Sequence, residues 1–176
     1  MSVRPLALLF VFAATSAQAL YDPAARPELA DAEGRWVGQL IYRDYSDDRR
    51  EVTLPVVTNV ALATPDELVF HAIYDDGPKK TVHSYERLKF DLGAKALTWT
   101  HGLDADETSR YVIDGTSLQA GVREFLVSGQ SSGKDGPHCV QYTLRWSRTA
   151  LDIVKREGKS CDATAVRSRS AYRRAP

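Results

Sequence analysis

Residues 34–45 read GRWVGQLIYRDY, with Trp36, Gly38, Leu40 and Tyr42 alternating against Val37, Gln39, Ile41 and Arg43. A period of two, rich in aromatic and β-branched residues, predicts a strand with one buried face. Related patterns return along the chain. Residues 51–63 are rich in Val, Leu and Thr; Pro55 inside them marks a bulge or an edge, because proline removes a ladder donor. Residues 67–74 set Leu68, Phe70 and Ala72 against Val69, His71 and Ile73. Further strands are predicted over 79–90 (with a bend near Glu86), 94–100 (Leu97 and Trp99 on one face) and 108–113. The last four cover 122–129, 138–147, 151–157 and 163–172; in 138–147, Val140, Tyr142, Leu144 and Trp146 share a face. Polar, Gly- or Pro-containing clusters at 46–50, 64–66, 75–78, 91–93 and 114–115 read as turns, and the glycine-serine stretch 130–137 reads as a loop. Residues 29–32 could form one helical turn, and no convincing amphipathic helix follows.

About ten short strands joined by short turns predict a sandwich or a barrel. Successive hairpins leave two exposed sheet edges, and closing the sheet removes them. The expected fold is therefore all-β: a single antiparallel up-and-down β-barrel of about 8–10 strands, with Trp36 plugging one end. The 176-residue length suits one domain, and 43% apolar with 26% charged residues is ordinary for a globular chain. A formal net charge of zero supplies no global field to attract nucleic acid.

The N-terminus changes the picture. Arg4, the short apolar run 5–14 and the A-x-A end at Ala17–Ala19 form the pattern of a secretory signal peptide. The run is too short to span a bilayer, which takes roughly 20 residues, and no later segment is apolar enough to do so. The expected organisation is a signal peptide at 1–19, a lead at 20–33 and a barrel domain at 34–176, exported to a periplasmic or extracellular space. The two cysteines, Cys139 and Cys161, then favour a disulfide. If 147–150 is a hairpin turn, Cys139 lies opposite a position near 159, within reach of Cys161.

Candidate chemistry is sparse. There is no phosphate loop, H-E-x-x-H, G-x-S-x-G or metal-ligand spacing, so no catalytic residue, metal or cofactor is assigned. Tyr42 and Asp44 share the face of Trp36. Six residues on, Tyr42 stands about 20 Å towards the open end; Asp44 sits at a wet rim or pairs with an arginine. Tyr74 and Tyr142 suit a pocket wall, each combining apolar area with one polar handle. His83 and Tyr85 share a strand face and offer a ligand a donor–acceptor pair if that face is interior. Alternatively, they are solvent-facing strand residues. The acids of the turns and the arginine-rich end (Arg167, Arg169, Arg173, Arg174) read as solvated surface.

Gly34-Arg35-Trp36 at the head of a strand, in an exported all-β chain, resembles the first strand of the lipocalins and the wider calycin group. The resemblance implies Trp36 at the barrel base under an arginine from a late strand; Arg145, Arg148, Arg167 and Arg169 are late enough. Gly34-Arg35-Trp36-Val37-Gly38 also resembles the opening of nitrobindin-type haem barrels, which have ten strands. That resemblance implies an iron ligand from a late-strand histidine, where this chain has only His138, and a third glycine where it has Leu40. Together these readings lead to an exported, non-catalytic barrel that binds a small, mainly apolar molecule in its interior. The alternative is a structural or interaction protein whose barrel is filled by side chains, as small barrels can be. An interior of roughly 300 Å³ or more favours the first.

Overall fold

The computed structural model describes residues 27–44, 46–47, 50–78, 80–102, 107–133 and 136–176. The expected signal peptide and the start of the lead lie outside the described residues. One helical turn, α1 (Pro27–Ala30), precedes ten strands. These are β1 (Gly34–Arg43), β2 (Glu51–Thr64), β3 (Glu67–Asp75), β4 (Thr81–Asp91), β5 (Ala96–His101), β6 (Thr108–Gln119), β7 (Val122–Gly133), β8 (Gly136–Trp146), β9 (Ala150–Gly158) and β10 (Ala165–Arg174). Each pairs antiparallel with its chain neighbour, and β10 closes on β1 through Trp36↔Arg174 to Tyr42↔Ser168. The expected up-and-down barrel is the observed fold, with no open sheet edge.

Two turns predicted from composition are strand. Asp114-Gly115 is a bulge within β6, where the register against β7 shifts between Ile113 and Gly115. The stretch 130–133 continues β7, and β8 begins at Gly136, so the β7–β8 hairpin extends far beyond the predicted strand ends. Pro55 lies in β2 opposite Gln39 of β1, but β2 pairs with β3 only from Val56 onward. Its missing N–H therefore interrupts no ladder on the β3 side.

The barrel has a filled end and a hollow end. At the base, Trp36 is fully buried and its Nε1 donates to the Ala32 carbonyl at 2.9 Å. Leu29 and Ala32 are buried in the same core, so the described part of the lead, from residue 27 onward, is the floor of the barrel. The arginine over Trp36 is Arg174, with its guanidinium carbon 4.4 Å from the ring centroid. This corrects the expected choice among Arg145, Arg148, Arg167 and Arg169, and it removes Arg174 from the solvated surface. The reason is parity: β10 places Tyr172 inward, so Arg174 points into the base as well. Its Nη1 and Nη2 donate to the carbonyls of Glu33 and Asp31 at 2.7 and 2.8 Å, and its Nε donates to that of Arg148. Gly34 has φ +136°, and a Cβ there would fall 2.2 Å from Arg174 Nη1. The opening glycine thus makes room for the cation that covers the tryptophan. Above this floor Phe90, Phe125 and Trp146 stack with centroids 4.9–6.3 Å apart.

Candidate functional site

Inward positions in the other half of the barrel leave space. A cavity of about 230 Å³ opens there, towards the end where β1 finishes and β2 begins. Its aromatic wall is Phe70, Tyr74, Trp99, Tyr142 and Tyr172, and its polar groups include Thr58, Ser84, Glu86, His101 and Lys155. A rim pocket of about 250 Å³, lined by Leu40, Tyr42, Leu54, Tyr74, Val82 and Ser168, adjoins it through Leu40, Tyr74 and Ser168.

The wall is ordered by ring contacts. Trp99 lies 4.4 Å from Tyr142 and stacks on His101 at 5.6 Å, while Tyr111 meets Tyr142 edge-on at 5.4 Å. Gly129 makes this possible, because a Cβ there would stand 2.7 Å from the Tyr111 ring. Glu86 Oε2 accepts a 2.7 Å hydrogen bond from Trp99 Nε1, and the Ser84 hydroxyl lies 3.4 Å from Oε1. On the facing strands, Lys155 Nζ is 2.6 Å from Glu157, and Arg167 is 3.9 Å from the same carboxylate. The Thr58 hydroxyl, fully buried on the cavity wall, makes no well-formed hydrogen bond among the described residues, though it lies close enough to the Tyr172 phenol to favour that group's ionised form. A buried hydroxyl so weakly met gains from a ligand or water that bonds it well.

Burial pushes the phenols of Tyr74 and Tyr142 well above the ordinary tyrosine range, with the neighbouring Tyr111 adding to it for Tyr142, and it raises that of Tyr172 against the opposing hydrogen bonds of Ser170 and Thr58. In the unfolded chain these groups ionise near pH ~10. Above that pH the native state holds protons that the unfolded state has lost, so stability must fall as pH rises. These three tyrosines are expected to stay silent in a phenolate absorbance titration of the folded protein until alkaline unfolding releases them. Normal, reversible ionisation of every tyrosine in the folded protein would contradict this.

The residues singled out from sequence divide. Tyr42 lies at the rim, Tyr74 at the junction of rim and cavity, and Tyr142 in the cavity wall. Asp44 lines neither space. It closes the β1–β2 turn, accepting from the Ser46 N–H and hydroxyl at 2.8 and 2.7 Å, with Arg50 at 3.5 Å. These bonds, the Ser46 N–H foremost, hold its carboxyl below the usual range. His83 and Tyr85 face outward, contrary to the interior placement that a ligand role required. Leu88 and Phe90 are both 1% exposed and set the inward parity of β4, which places Ser84 and Glu86 inside and the odd positions outside. On the outer face His71 joins them, its Nε2 3.0 Å from His83 Nδ1 and its ring stacked 4.3 Å from Tyr85. Sequence reasoning missed Glu86, Lys155, Ser168, Ser170 and Tyr172 as lining. The parity signal in Leu88 and Phe90 could have found Glu86.

Cys139 and Cys161 form a disulfide with Cα atoms 5.2 Å apart. Cys139 pairs with Gly158 across the β8–β9 ladder, next to the expected position.

The late histidine that a haem barrel would need is not in place. His138 lines neither interior space, and the charged side chains of Glu86 and Lys155 face the cavity where an apolar macrocycle would lie. These residues do not fit a haem.

No known family and no curated protein matches the sequence. Among solved structures, the crystal structure of Rv2717c from M. tuberculosis superposes with a TM-score of 0.62 at 12% identity, over 89% of this chain and 99% of that one. At this identity the likeness shows the barrel fold.

Proposed function

We propose that the protein is an exported, non-catalytic, lipocalin-like barrel that holds a small molecule with a mainly apolar body in its hollow half. The observation that carries this reading is the aromatic-walled cavity above a filled base, with a rim pocket that shares Leu40, Tyr74 and Ser168 with it. Pockets for small ligands combine apolar walls with a few placed polar groups, and this interior has both. The cavity's volume of about 230 Å³ falls short of the roughly 300 Å³ that favours a ligand site, so this reading holds only for a compact ligand. Export is supported by the A-x-A leader pattern and by the disulfide, a bond that persists in oxidising compartments.

Native mass spectrometry of protein purified from its own host tests this directly: a co-purifying small molecule is the expected result. Titration with an environment-sensitive apolar dye and a panel of lipids gives a second test. Tyr42→Phe keeps the rim wall and removes one hydroxyl, so it should weaken binding of a ligand whose polar end reaches the rim by about 1 kcal/mol; a melt run alongside checks that the variant is folded. If the folded protein takes up neither dye nor lipid and carries nothing from its host, the interaction-protein reading takes over.

A further inference from the structure

We propose that the molecule held in the cavity carries a cationic amine, and that Glu86 is its counter-ion; this rests on the reading of the cavity as a binding site. Glu86 projects inward from β4 between Ser84 and Leu88. Its hydrogen-bond donors are neutral, Trp99 Nε1 at 2.7 Å and the more distant Ser84 hydroxyl, and it forms no ion pair among the described residues. His101, its register partner on β5, lines the same cavity but stacks on Trp99 without bonding to the carboxylate. A half-buried carboxylate facing a cavity without a cation loses part of its hydration, and an ammonium group entering the cavity would restore a counter-charge.

The surroundings favour a cation in a second way. The rings of Trp99, Tyr142, Tyr74 and Tyr172 wall the space beside Glu86. Aromatic faces carry negative potential and attract ammonium groups once water is excluded. The positive groups on the opposite strands do not mirror this demand. Lys155 Nζ is 2.6 Å from Glu157, and Arg167 stands 3.9 Å from that same carboxylate, which holds both cations on the far wall and away from Glu86. Lys155 approaches the Tyr142 ring only to 6.0 Å. Among the described residues Glu86 is an inward carboxylate with neutral hydrogen-bond partners and no ion pair. The ligand class that follows is a small amine on a compact aromatic or aliphatic body.

Three probes on one carbon skeleton test this: 3-phenylpropan-1-amine, 3-phenylpropan-1-ol and 3-phenylpropionate, titrated by calorimetry and by tryptophan emission, since Trp99 forms the wall. Wild-type protein should bind the amine at least tenfold more tightly than the alcohol, and the carboxylate most weakly. The preference should shrink with added salt. Glu86→Gln should bring the amine and the alcohol to within about twofold of each other, chiefly through a loss of amine affinity. Equal affinity for amine and alcohol in the wild type, tighter binding of the carboxylate, or an amine preference that survives Glu86→Gln would each overturn the proposal and leave the cavity as a binding site. Binding of none of the three would remove both readings. The wild-type series decides even if Glu86→Gln proves too unstable to purify.

Discussion

Trp36→Ala is expected to lower the unfolding free energy by about 3–5 kcal/mol, the range for deleting a large aromatic side chain from a core. Every contact of this residue points to the upper part of that range. It is fully buried, and its Nε1 satisfies the Ala32 carbonyl. Its ring carries the Arg174 guanidinium, which ties the carbonyls of Asp31, Glu33 and Arg148 together. Without the indole, the cavity lies between β1, β10 and the lead, where the barrel closes on itself. Arg174 loses the aromatic face beneath it, and the Ala32 carbonyl loses its donor. Denaturant unfolding of wild type and variant measures the loss. A difference under about 1 kcal/mol would show that the base collapses around the missing ring. Should Trp36→Ala fail to accumulate, Trp36→Phe gives the same comparison, because it keeps an apolar ring but no N–H for Ala32.

The elements that were legible from sequence are those decided by local alternation. The β8 face of Val140, Tyr142, Leu144 and Trp146 is buried as its period of two requires. The turn at 147–149 aligned β8 with β9 closely enough to place Cys139 beside the Cys161 loop. What was not legible depends on strands far apart in sequence. Arg174 covers Trp36 because the chain ends pair, Trp36 against Arg174, and no local pattern fixes that register among several arginines. The stretch 130–137 has loop composition, yet the backbone of 130–133 and 136–137 continues the β7–β8 ladder. Polar residues on an extended hairpin need no buried face, so composition misread them.

The site shows the same division. Tyrosines were placed correctly where their strand also carried a clear apolar face, as with Tyr42 beyond Trp36 and Leu40. His83 and Tyr85 drew attention by residue type while the parity of β4 was left open by an imagined bend at Glu86. No break in register occurs there: β4 pairs with β3 continuously from Thr81 to Lys89. The residue taken for a bend is the carboxylate facing the cavity.

Removal of the disulfide should have the other large effect. Cys139 and Cys161 are 22 residues apart, and closing a loop of that length contributes about 3 kcal/mol in the chain-entropy model. Cys139 is on the outer side of β8 yet has no exposure, because the β9–β10 connection folds back over it. Gly158 permits that path, since a Cβ there would stand 2.2 Å from the Ala163 carbonyl oxygen. Thr164 anchors it further by donating to Gln141 Oε1 at 2.8 Å. The two cysteines are therefore not equivalent in a test. Cys161→Ser removes the bond at an exposed position and leaves Cys139 as a buried thiol, which packs as a small apolar group. Cys139→Ser removes the same bond and also buries a hydroxyl, so it should cost more, by up to a few kcal/mol if the hydroxyl finds no partner. In oxidised protein both variants should melt below wild type, with Cys139→Ser the lower. Under reducing conditions wild type should fall to the level of Cys161→Ser, while that variant stays where it was. Coincident melts of oxidised wild type and Cys161→Ser would show that the bridge adds nothing to stability. Two free thiols in the natively exported protein would show that it does not form. The connection it pins lies at the hollow end of the barrel, beside β8 and β9, which supply Tyr142 and Lys155 to the cavity. Loss of the bond should thus loosen the mouth before the base, and hydrogen exchange should rise first around Cys139 and Gly158 while the Trp36 floor stays protected.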